Sequence, residues 1–309
     1  MKTISCFLLC FAATALFAQK TEFTSRDISV SPFVDGTILV PDGIENPPIA
    51  IIIAGSGPTD RNGNQQMMNN NSLKYLAEGL SEKGIATFRY DKRILKQIKE
   101  RTLNEESIKF DDFIEDATET VNYFKRSQAF SKIFVIGHSQ GSLVGMIAAQ
   151  NGADGFVSLA GAGQEIDDVI VDQLEKQAPG LKDNARQAFD DMRADGVAVS
   201  YSPGLASIFR KQIQPFLLTW MRFDPRQEIA KLNMPVLIIN GEKDLQVQVS
   251  EAEKLKAAKP DATYEIIPEM NHILKKIEGD DIDNSKSYNE PNRPVMPELI
   301  ESVVNFILG

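Results

Sequence analysis

Short apolar runs alternate with stretches of helical spacing along most of this chain, and the alternation constrains its fold more than any other feature. The run at residues 49–54 is apolar on both faces, which is typical of a central strand covered by helices on either side. Further strand-like runs are separated by helical stretches, and they lie at residues 85–90, 132–136, 155–160, 235–240 and 263–267. This order predicts an α/β fold with a mostly parallel central sheet flanked by helices.

One interval interrupts the alternation. Residues 163–231 contain several successive helical stretches, and we interpret them as a helical lid inserted into a core formed by residues 19–162 and 232–309. The alternative is that these helices are further outer helices of the sheet. The most apolar stretch carries three aromatic residues that suggest an acyl-lined pocket or plain packing, namely Phe209, Phe216 and Trp220.

Two regions outside this pattern also carry predictions. Short β-like runs at residues 27–40, ended by Pro-Asp-Gly, predict an antiparallel hairpin or meander. Residues 275–295 are charged and rich in Asn and Pro, which predicts a solvated surface loop.

The N-terminus has the order of a secretory signal peptide. Lys2 precedes an apolar run at residues 4–17, and the sequence turns polar after Ala18. We therefore expect residues 1–18 to be removed and the mature chain to be exported, into a periplasm or out of the cell. The alternative is a membrane anchor, but the run is shorter than the roughly 20 residues that a spanning helix needs, so we expect no stable membrane insertion.

Cysteine content and charge exclude several kinds of site and partner. Cys6 and Cys10 both lie in the predicted signal peptide, so the mature chain is expected to form no disulfide, cysteine nucleophile or cysteine metal site. The formal net charge of −10, with no stripe of Lys and Arg, argues against nucleic acid as a partner. Residues 60–64 faintly resemble a calcium loop but lack the closing glutamate, so we expect no metal.

A serine lies between two glycines where a predicted strand meets a predicted helix, in the sequence Gly-His-Ser-Gln-Gly at residues 137–141. This is the pattern of a nucleophile elbow, in which a strained turn exposes the hydroxyl while Gly137 and Gly141 avoid collisions. We predict that Ser139 is a nucleophile and that the amide of Gln140, at the positive end of the helix, binds an oxyanion. The alternative is a phosphate-binding or merely structural turn.

The chain contains only two histidines, His138 and His272. His138 is adjacent to the serine on the turn and its side chain is expected to point away from the serine oxygen, so His272 is the predicted general base. Asp244, in the loop after the strand at residues 235–240, is the predicted acid that orients the imidazole. Glu242 is the rival for this role.

A second oxyanion donor is predicted in the loop after the first central strand, where residues 54–58 read Ala-Gly-Ser-Gly-Pro. Glycines allow the backbone to approach a substrate closely, and the amide of Ser56 is the candidate donor. The glycines also suit a tight turn, and the two roles are compatible.

In these motifs the sequence resembles the α/β-hydrolase superfamily over nearly the whole mature chain, and it is similar to bacterial serine esterases. The shared motifs are Gly-Ser-Gly-Pro-x-Asp-Arg at residues 55–61, Arg-Tyr-Asp-Lys-Arg at 89–93, Gly-His-Ser-x-Gly at 137–141, and Pro-Val-Leu with Asn-Gly-Glu-Lys-Asp-x-Gln-Val at 235–247. The resemblance implies an α/β-hydrolase fold with the triad order Ser, Asp, His. It also implies hydrolysis of a small-molecule carboxylic ester through an acyl-enzyme, without a cofactor.

The sequence departs from these relatives at two places, and alternatives to esterase activity remain. Ala54 replaces a histidine that many relatives have, and residues 94–96 replace a glycine-rich loop; both are expected near the pocket. The same triad also serves thioesterases, acyltransferases and peptidases. A different class of alternative is a binding protein that has lost catalysis on a hydrolase scaffold. The sequence indicates no particular oligomeric state.

Overall fold

The computed structural model describes residues 21–309, so the predicted signal peptide lies outside the described residues. Within residues 21–309, eight strands form one sheet in the order β1-β2-β4-β3-β5-β6-β7-β8. The strands are β1 (Phe23–Ser31), β2 (Val34–Pro41), β3 (Ile49–Ile53), β4 (Ala86–Tyr90), β5 (Ile133–His138), β6 (Gly155–Leu159), β7 (Val236–Gly241) and β8 (Thr263–Ile267).

The sheet is parallel from β4 to β8 and antiparallel at its N-terminal edge. β1 and β2 form a hairpin in which Phe23 lies opposite Pro41, and β2 runs antiparallel to β4. The remaining neighbours, from β4–β3 through to β7–β8, pair in parallel. The predicted hairpin and the mostly parallel sheet are therefore confirmed. Because parallel strands carry their C-terminal ends to one edge, the loops after β3, β5 and β7 meet there.

Twelve α-helices lie within the described residues and link or flank these strands. They are α1 (Ser72–Ser81), α2 (Arg93–Glu100), α3 (Phe110–Ser127), α4 (Gln140–Ala149), α5 (Ile166–Gln177), α6 (Lys182–Asp195), α7 (Ala206–Phe209), α8 (Gln214–Trp220), α9 (Pro225–Ala230), α10 (Val249–Ala258), α11 (Asp281–Ser287) and α12 (Pro297–Leu308).

The apolar character of β3 on both faces follows from a core on each side of the sheet. Ile49, Ile51 and Ile53 pack with α3 and α4 on one side. Ala50 and Ile52 pack with α1 and α12 on the other. Successive side chains of a strand point to opposite faces, so a strand between two helical layers needs apolar residues at every position.

Residues 163–231 are largely helical, as predicted, and their helices have a core of their own. α5 to α8 pack around a third apolar cluster that includes Val171, Phe189, Phe209 and Leu217. The rings of Phe189 and Phe209 meet edge to face with centroids 4.7 Å apart. The segment joins the end of β6 to the start of β7, which pair directly in parallel, and its status as an inserted domain stays a prediction. Its action as a lid stays a prediction.

The prediction of a solvated loop at residues 275–295 is wrong in part, although about half of the segment's residues are exposed. The segment contains α11, and the side chains of Lys275, Asn284 and Ser287 are buried. Polar sequence normally indicates exposure, but a polar side chain is stable in the interior when protein groups satisfy its hydrogen bonds.

The sequence analysis predicts no helix at α2, of whose residues only Arg93 is buried. The guanidinium of Arg93 donates to both carboxylate oxygens of Asp116 on α3, at 2.8 and 2.7 Å. A buried ion pair between two helices, rather than an apolar stripe, therefore attaches α2 to the core.

Candidate active site

The turn between β5 and α4 holds Ser139 in a backbone conformation that L-amino acids rarely adopt, with φ 54° and ψ −123°. Its amide donates to the carbonyl of Leu159 on the neighbouring strand at 2.9 Å, and its own carbonyl accepts from the amide of Ser142 at 2.9 Å. The first turn of α4 leaves backbone N–H groups without intrahelical partners, so the serine side chain stands beside the positive end of the helix.

Close backbone contacts explain the two flanking glycines. A Cβ atom on Gly137 would lie 2.2 Å from the carbonyl oxygen of Gly141, and one on Gly141 would lie 2.4 Å from that of Ile53. Both obstacles are backbone atoms, which cannot rotate away as a side chain can. The start of α4 therefore packs directly against the ends of β3 and β5, and this packing holds the turn.

Asp244 and His272 meet at the same edge of the sheet, although 28 residues separate them in sequence. His272 Nδ1 donates to Asp244 Oδ2 at 2.8 Å, and both side chains are buried. The other carboxylate oxygen, Oδ1, accepts from the amides of Gln246 and Val247 at 2.8 Å each. The rival Glu242 is exposed. This geometry leaves His272 Nε2 as the nitrogen that is free to exchange a proton.

His138, which the sequence analysis left without a role, contacts the backbone of His272. Its Nε2–H donates to the His272 carbonyl at 2.7 Å. Burial, with a smaller contribution from the charge of His272, lowers the pKa of His138 to about 4. The ring is therefore neutral near pH 7 and acts as a hydrogen-bond donor that holds the His272 loop.

Helix α11 joins the loops that carry the predicted acid and the predicted base. Asn271, next to His272, donates through Nδ2 to Asn284 Oδ1 at 3.0 Å and to Ser287 Oγ at 2.9 Å. Asn284 in turn donates to the carbonyl of Lys243, next to Asp244, at 2.7 Å. The segment predicted as a surface loop thus fixes both loops relative to each other.

Two cavities open beside Ser139. The first, here called the histidine-side cavity, has a volume of about 420 Å³ and is lined by Ser139, His272 and Ser56. The second, the helix-side cavity, has a volume of about 280 Å³ and is lined by Ser139, Ser56 and Gln140. Among residues 21–309, no group accepts a hydrogen bond from the amide of Ser56. Both predicted oxyanion donors therefore belong to residues beside the serine.

The two cavities differ in the side chains that line them, although most of the exposed surface in each is apolar. The histidine-side cavity presents mostly polar side chains, among them Thr59, Gln65, Ser72, Gln246 and Tyr288. The helix-side cavity presents apolar side chains from α4, α5 and α8, namely Leu143, Ile166, Val169, Ile170 and Trp220.

The three aromatic residues that suggested an acyl-lined pocket lie in three different surroundings. Trp220 lines the helix-side cavity, whereas Phe209 packs in the core of α5 to α8 and Phe216 packs on Phe110 and Phe113. Neither Ala54 nor any of residues 94–96 lines either cavity, although Ala54 directly precedes Gly55, which lines the histidine-side cavity.

A search of residues 21–309 finds no cluster of three or more His, Cys, Asp or Glu side chains able to hold a metal ion. Over the same residues, no helix has the length and apolar character required to cross a membrane.

Comparisons with known proteins find a family model and a curated relative that are similar to parts of this chain. A family model described as Hydrolase_4, serine aminopeptidase S33, matches residues 68–197, which include the turn at Ser139 but neither Asp244 nor His272. The chain is 29% identical over 279 residues to the esterase EstD of Thermotoga maritima. That match covers 85% of this chain but only 63% of EstD, so the chain spans less than two thirds of this relative.

Solved structures share the fold at low sequence identity. Est1E from Butyrivibrio proteoclasticus superposes with a TM-score of 0.58 at 17% identity, covering 92% of this chain and 97% of Est1E. Its complex with ferulic acid gives a TM-score of 0.59 at 18% identity, covering 92% and 99%. An esterase of Pyrococcus furiosus gives 0.51 at 14% identity, covering 82% and 84%.

The sheet order, the strand–serine–helix turn and these matches together define the fold class: the chain has the α/β-hydrolase fold. Within it, the chain resembles bacterial esterases, with EstD as a relative in sequence and Est1E as a relative in fold.

The backbone packing at the turn leads to a testable prediction. Gly141→Ala should destabilise the fold by about 2 kcal/mol, because its Cβ meets the backbone of β3, and should displace Ser139. Gly145→Ala is the matched control on the same helix, because its Cβ first meets the side chain of Phe156 at 2.9 Å. Thermal unfolding and ester turnover of both variants test this. Equal effects of the two substitutions would contradict it.

Proposed function

We propose that the protein is a serine carboxylesterase that uses Ser139, His272 and Asp244 as its catalytic triad. One observation carries the proposal. Ser139, held at φ 54° on the strand-to-helix turn, lines the same cavity as His272, whose Nδ1 lies 2.8 Å from Asp244 Oδ2. The similarity to the esterase EstD supports the same conclusion.

The proposed reaction proceeds in two halves. Ser139 Oγ attacks the ester carbonyl carbon while His272 Nε2 takes its proton, and the amides of Ser56 and Gln140 stabilise the oxyanion. His272 then donates this proton to the departing alkoxide, which leaves as the alcohol, and the acyl group stays on Ser139. Water attacks the acyl-enzyme while His272 takes a proton from it, and the acid and free Ser139 are formed.

The position of His272 assigns the two parts of the ester to the two cavities. A leaving alcohol must lie next to the imidazole that protonates it, and only the histidine-side cavity is lined by His272. The acyl group then occupies the helix-side cavity, whose walls are largely apolar. We therefore propose a substrate with a short to medium apolar acyl group and a polar alcohol.

A peptidase is the second candidate, because the matching family model is described as a serine aminopeptidase. The same triad cleaves esters and amides, so a direct comparison of substrates separates them. Aminoacyl p-nitroanilides and p-nitrophenyl esters assayed on the same preparation favour the peptidase if the anilides turn over faster. Thioesterase and acyltransferase activities are tested by acyl thioesters and by added alcohol acceptors.

The role of Ser139 leads to the most direct prediction. Ser139→Ala should lower kcat by at least about 10³-fold on p-nitrophenyl butyrate, because the acyl-enzyme can no longer form. Ser142→Ala is the matched control, since this buried serine on the same helix bonds Ser158 Oγ at 2.7 Å and lines neither cavity. It should keep turnover within about threefold and accept a fluorophosphonate label. Labelling or turnover that persists in Ser139→Ala would overturn the proposal, and a wild-type protein inert to both reagents would favour a non-catalytic scaffold.

The assignment of the cavities leads to a second prediction. Ile170→Phe should shift the preferred acyl chain to a shorter length, because the larger side chain fills the helix-side cavity. Met68→Phe should leave the acyl preference unchanged and weaken bulky alcohols, because Met68 lines the histidine-side cavity. Two ester series, one with varied acyl chains and one with varied alcohols, measure both effects. If Ile170→Phe instead weakened bulky alcohols and Met68→Phe shortened the preferred acyl chain, the acyl group would be assigned to the histidine-side cavity and the alcohol to the helix-side cavity.

We also propose that the protein is exported after removal of residues 1–18, from the sequence pattern alone. In a Gram-negative host the full chain should yield periplasmic protein beginning at Gln19, as read by mass spectrometry. A variant with Leu8→Glu and Leu9→Glu should stay in the cytosol with residues 1–18 attached, because charges interrupt the apolar run. Full-length wild-type chain confined to the cytosol would contradict this proposal.

A further inference from the structure

A buried lysine behind the candidate site has no counterion within residues 21–309. Lys92 follows β4 in the Arg-Tyr-Asp-Lys-Arg motif and is only 6% exposed. Among the residues that the structure describes, no carboxylate lies within ion-pair distance of its Nζ, and burial lowers the pKa of the ammonium to about 7. A buried cation without a carboxylate is costly, so its hydrogen bonds indicate what it does there.

The ammonium of Lys92 contacts the two residues that carry the candidate oxyanion donors. It donates to the carbonyl of Gly55 at 2.7 Å and to the side-chain Oε1 of Gln140 at 2.5 Å. It also lies 4.5 Å from the centroid of the Phe113 ring, which closes the site on its apolar side.

The contact with Gly55 acts directly on the first donor. The carbonyl of Gly55 and the amide of Ser56 belong to the same planar peptide unit, so fixing the oxygen also fixes the direction of the N–H. Glycine on one side of this unit leaves it free to rotate without such an anchor. The next peptide unit is fixed as well, because the carbonyl of Ser56 accepts from Thr59 Oγ1 and Gln65 Nε2 at 2.8 Å each.

The contact with Gln140 acts on the residue of the second donor. Its amide is the first N–H of α4, and its side chain is turned inward to Lys92. The two donors come from loops after different strands, β3 and β5, and Lys92 comes from a third, β4. The Lys92 side chain thus links the two loops. Within residues 21–309, neither donor amide makes a hydrogen bond from one loop to the other.

We propose that Lys92 is a positioning residue that fixes the amides of Ser56 and Gln140 as an oxyanion hole, a role that rests on the esterase function proposed above. Donation from the ammonium to the Gly55 carbonyl also polarises the peptide unit and strengthens the N–H of Ser56 as a donor. Lys92 itself touches no substrate, because it lines neither cavity beside Ser139.

The test compares Lys92→Met with Lys96→Met, which makes the same change at a partly exposed position of α2, where Lys96 pairs with Asp35. For Lys92→Met we expect kcat on p-nitrophenyl butyrate to fall by about 10- to 100-fold with KM within about threefold, because the hole acts on the transition state. The affinity for butylboronic acid, whose adduct with Ser139 is tetrahedral, should fall by a similar factor. Lys96→Met should match the wild type in all three values.

Stability separates this role from a merely structural one. Methionine replaces an unpaired buried charge, so thermal unfolding of Lys92→Met should stay close to that of the wild type. Lys92→Gln, which keeps a single donor group, should lie between wild type and Lys92→Met in kcat and in boronate affinity. It also replaces Lys92→Met in the comparison if the latter does not fold.

Each outcome decides the proposal. If folded Lys92→Met or Lys92→Gln keeps wild-type kcat and boronate affinity while Ser139→Ala is inactive, the positioning role is wrong and the esterase function stands. Losses that follow thermal stability but leave boronate affinity intact also overturn the positioning role. A wild-type protein without serine-dependent turnover overturns both proposals together.

Discussion

The backbone of Ser139 stands at φ 54°, and much of the surrounding structure serves to hold it there. A non-glycine residue in such a conformation costs about 1–3 kcal/mol and persists only where its neighbours determine it. Here those neighbours are Gly137 and Gly141, which let the start of α4 contact the backbone of β3 and β5 directly. The strain is therefore supported by the central strands, the most buried part of the fold, and the hydroxyl faces the cavities at their C-terminal edge.

Around this turn, three buried polar contacts hold loops that the sheet alone does not fix. His138 bonds the carbonyl of His272, α11 connects the His272 loop to the Asp244 loop, and Lys92 connects the loops of Ser56 and Gln140. Each is a hydrogen bond in an environment of low dielectric, where a satisfied network is rigid and an unsatisfied one is costly. Polar groups thus position the candidate catalytic residues, while the two apolar cores position the strands that carry them.

The sequence predicted the elements whose pattern is local. It missed the elements whose stability depends on residues distant in sequence. β8 has the predicted bounds because its strand-like run and end signals lie within the segment. α2 and α11 were missed for the opposite reason. α2 is attached by the ion pair of Arg93 with Asp116, and α11 by hydrogen bonds of Asn284 and Ser287 to Asn271. In both, polar residues that read as exposed are buried, because partners distant in sequence replace water.

The sequence by itself determined the α/β order, the strained serine turn and the short set of candidates, since two histidines and one Gly-x-Ser-x-Gly pattern leave few choices. Only the tertiary structure decided that Asp244 rather than Glu242 meets His272, that two cavities open beside Ser139, and that Lys92 reaches both Gly55 and Gln140. The physical reason is the separation in sequence over which each kind of interaction acts. Periodicity and turn chemistry act over a few residues, whereas these hydrogen bonds join groups 28 to 48 residues apart and depend on how the parallel strands bring their ends together.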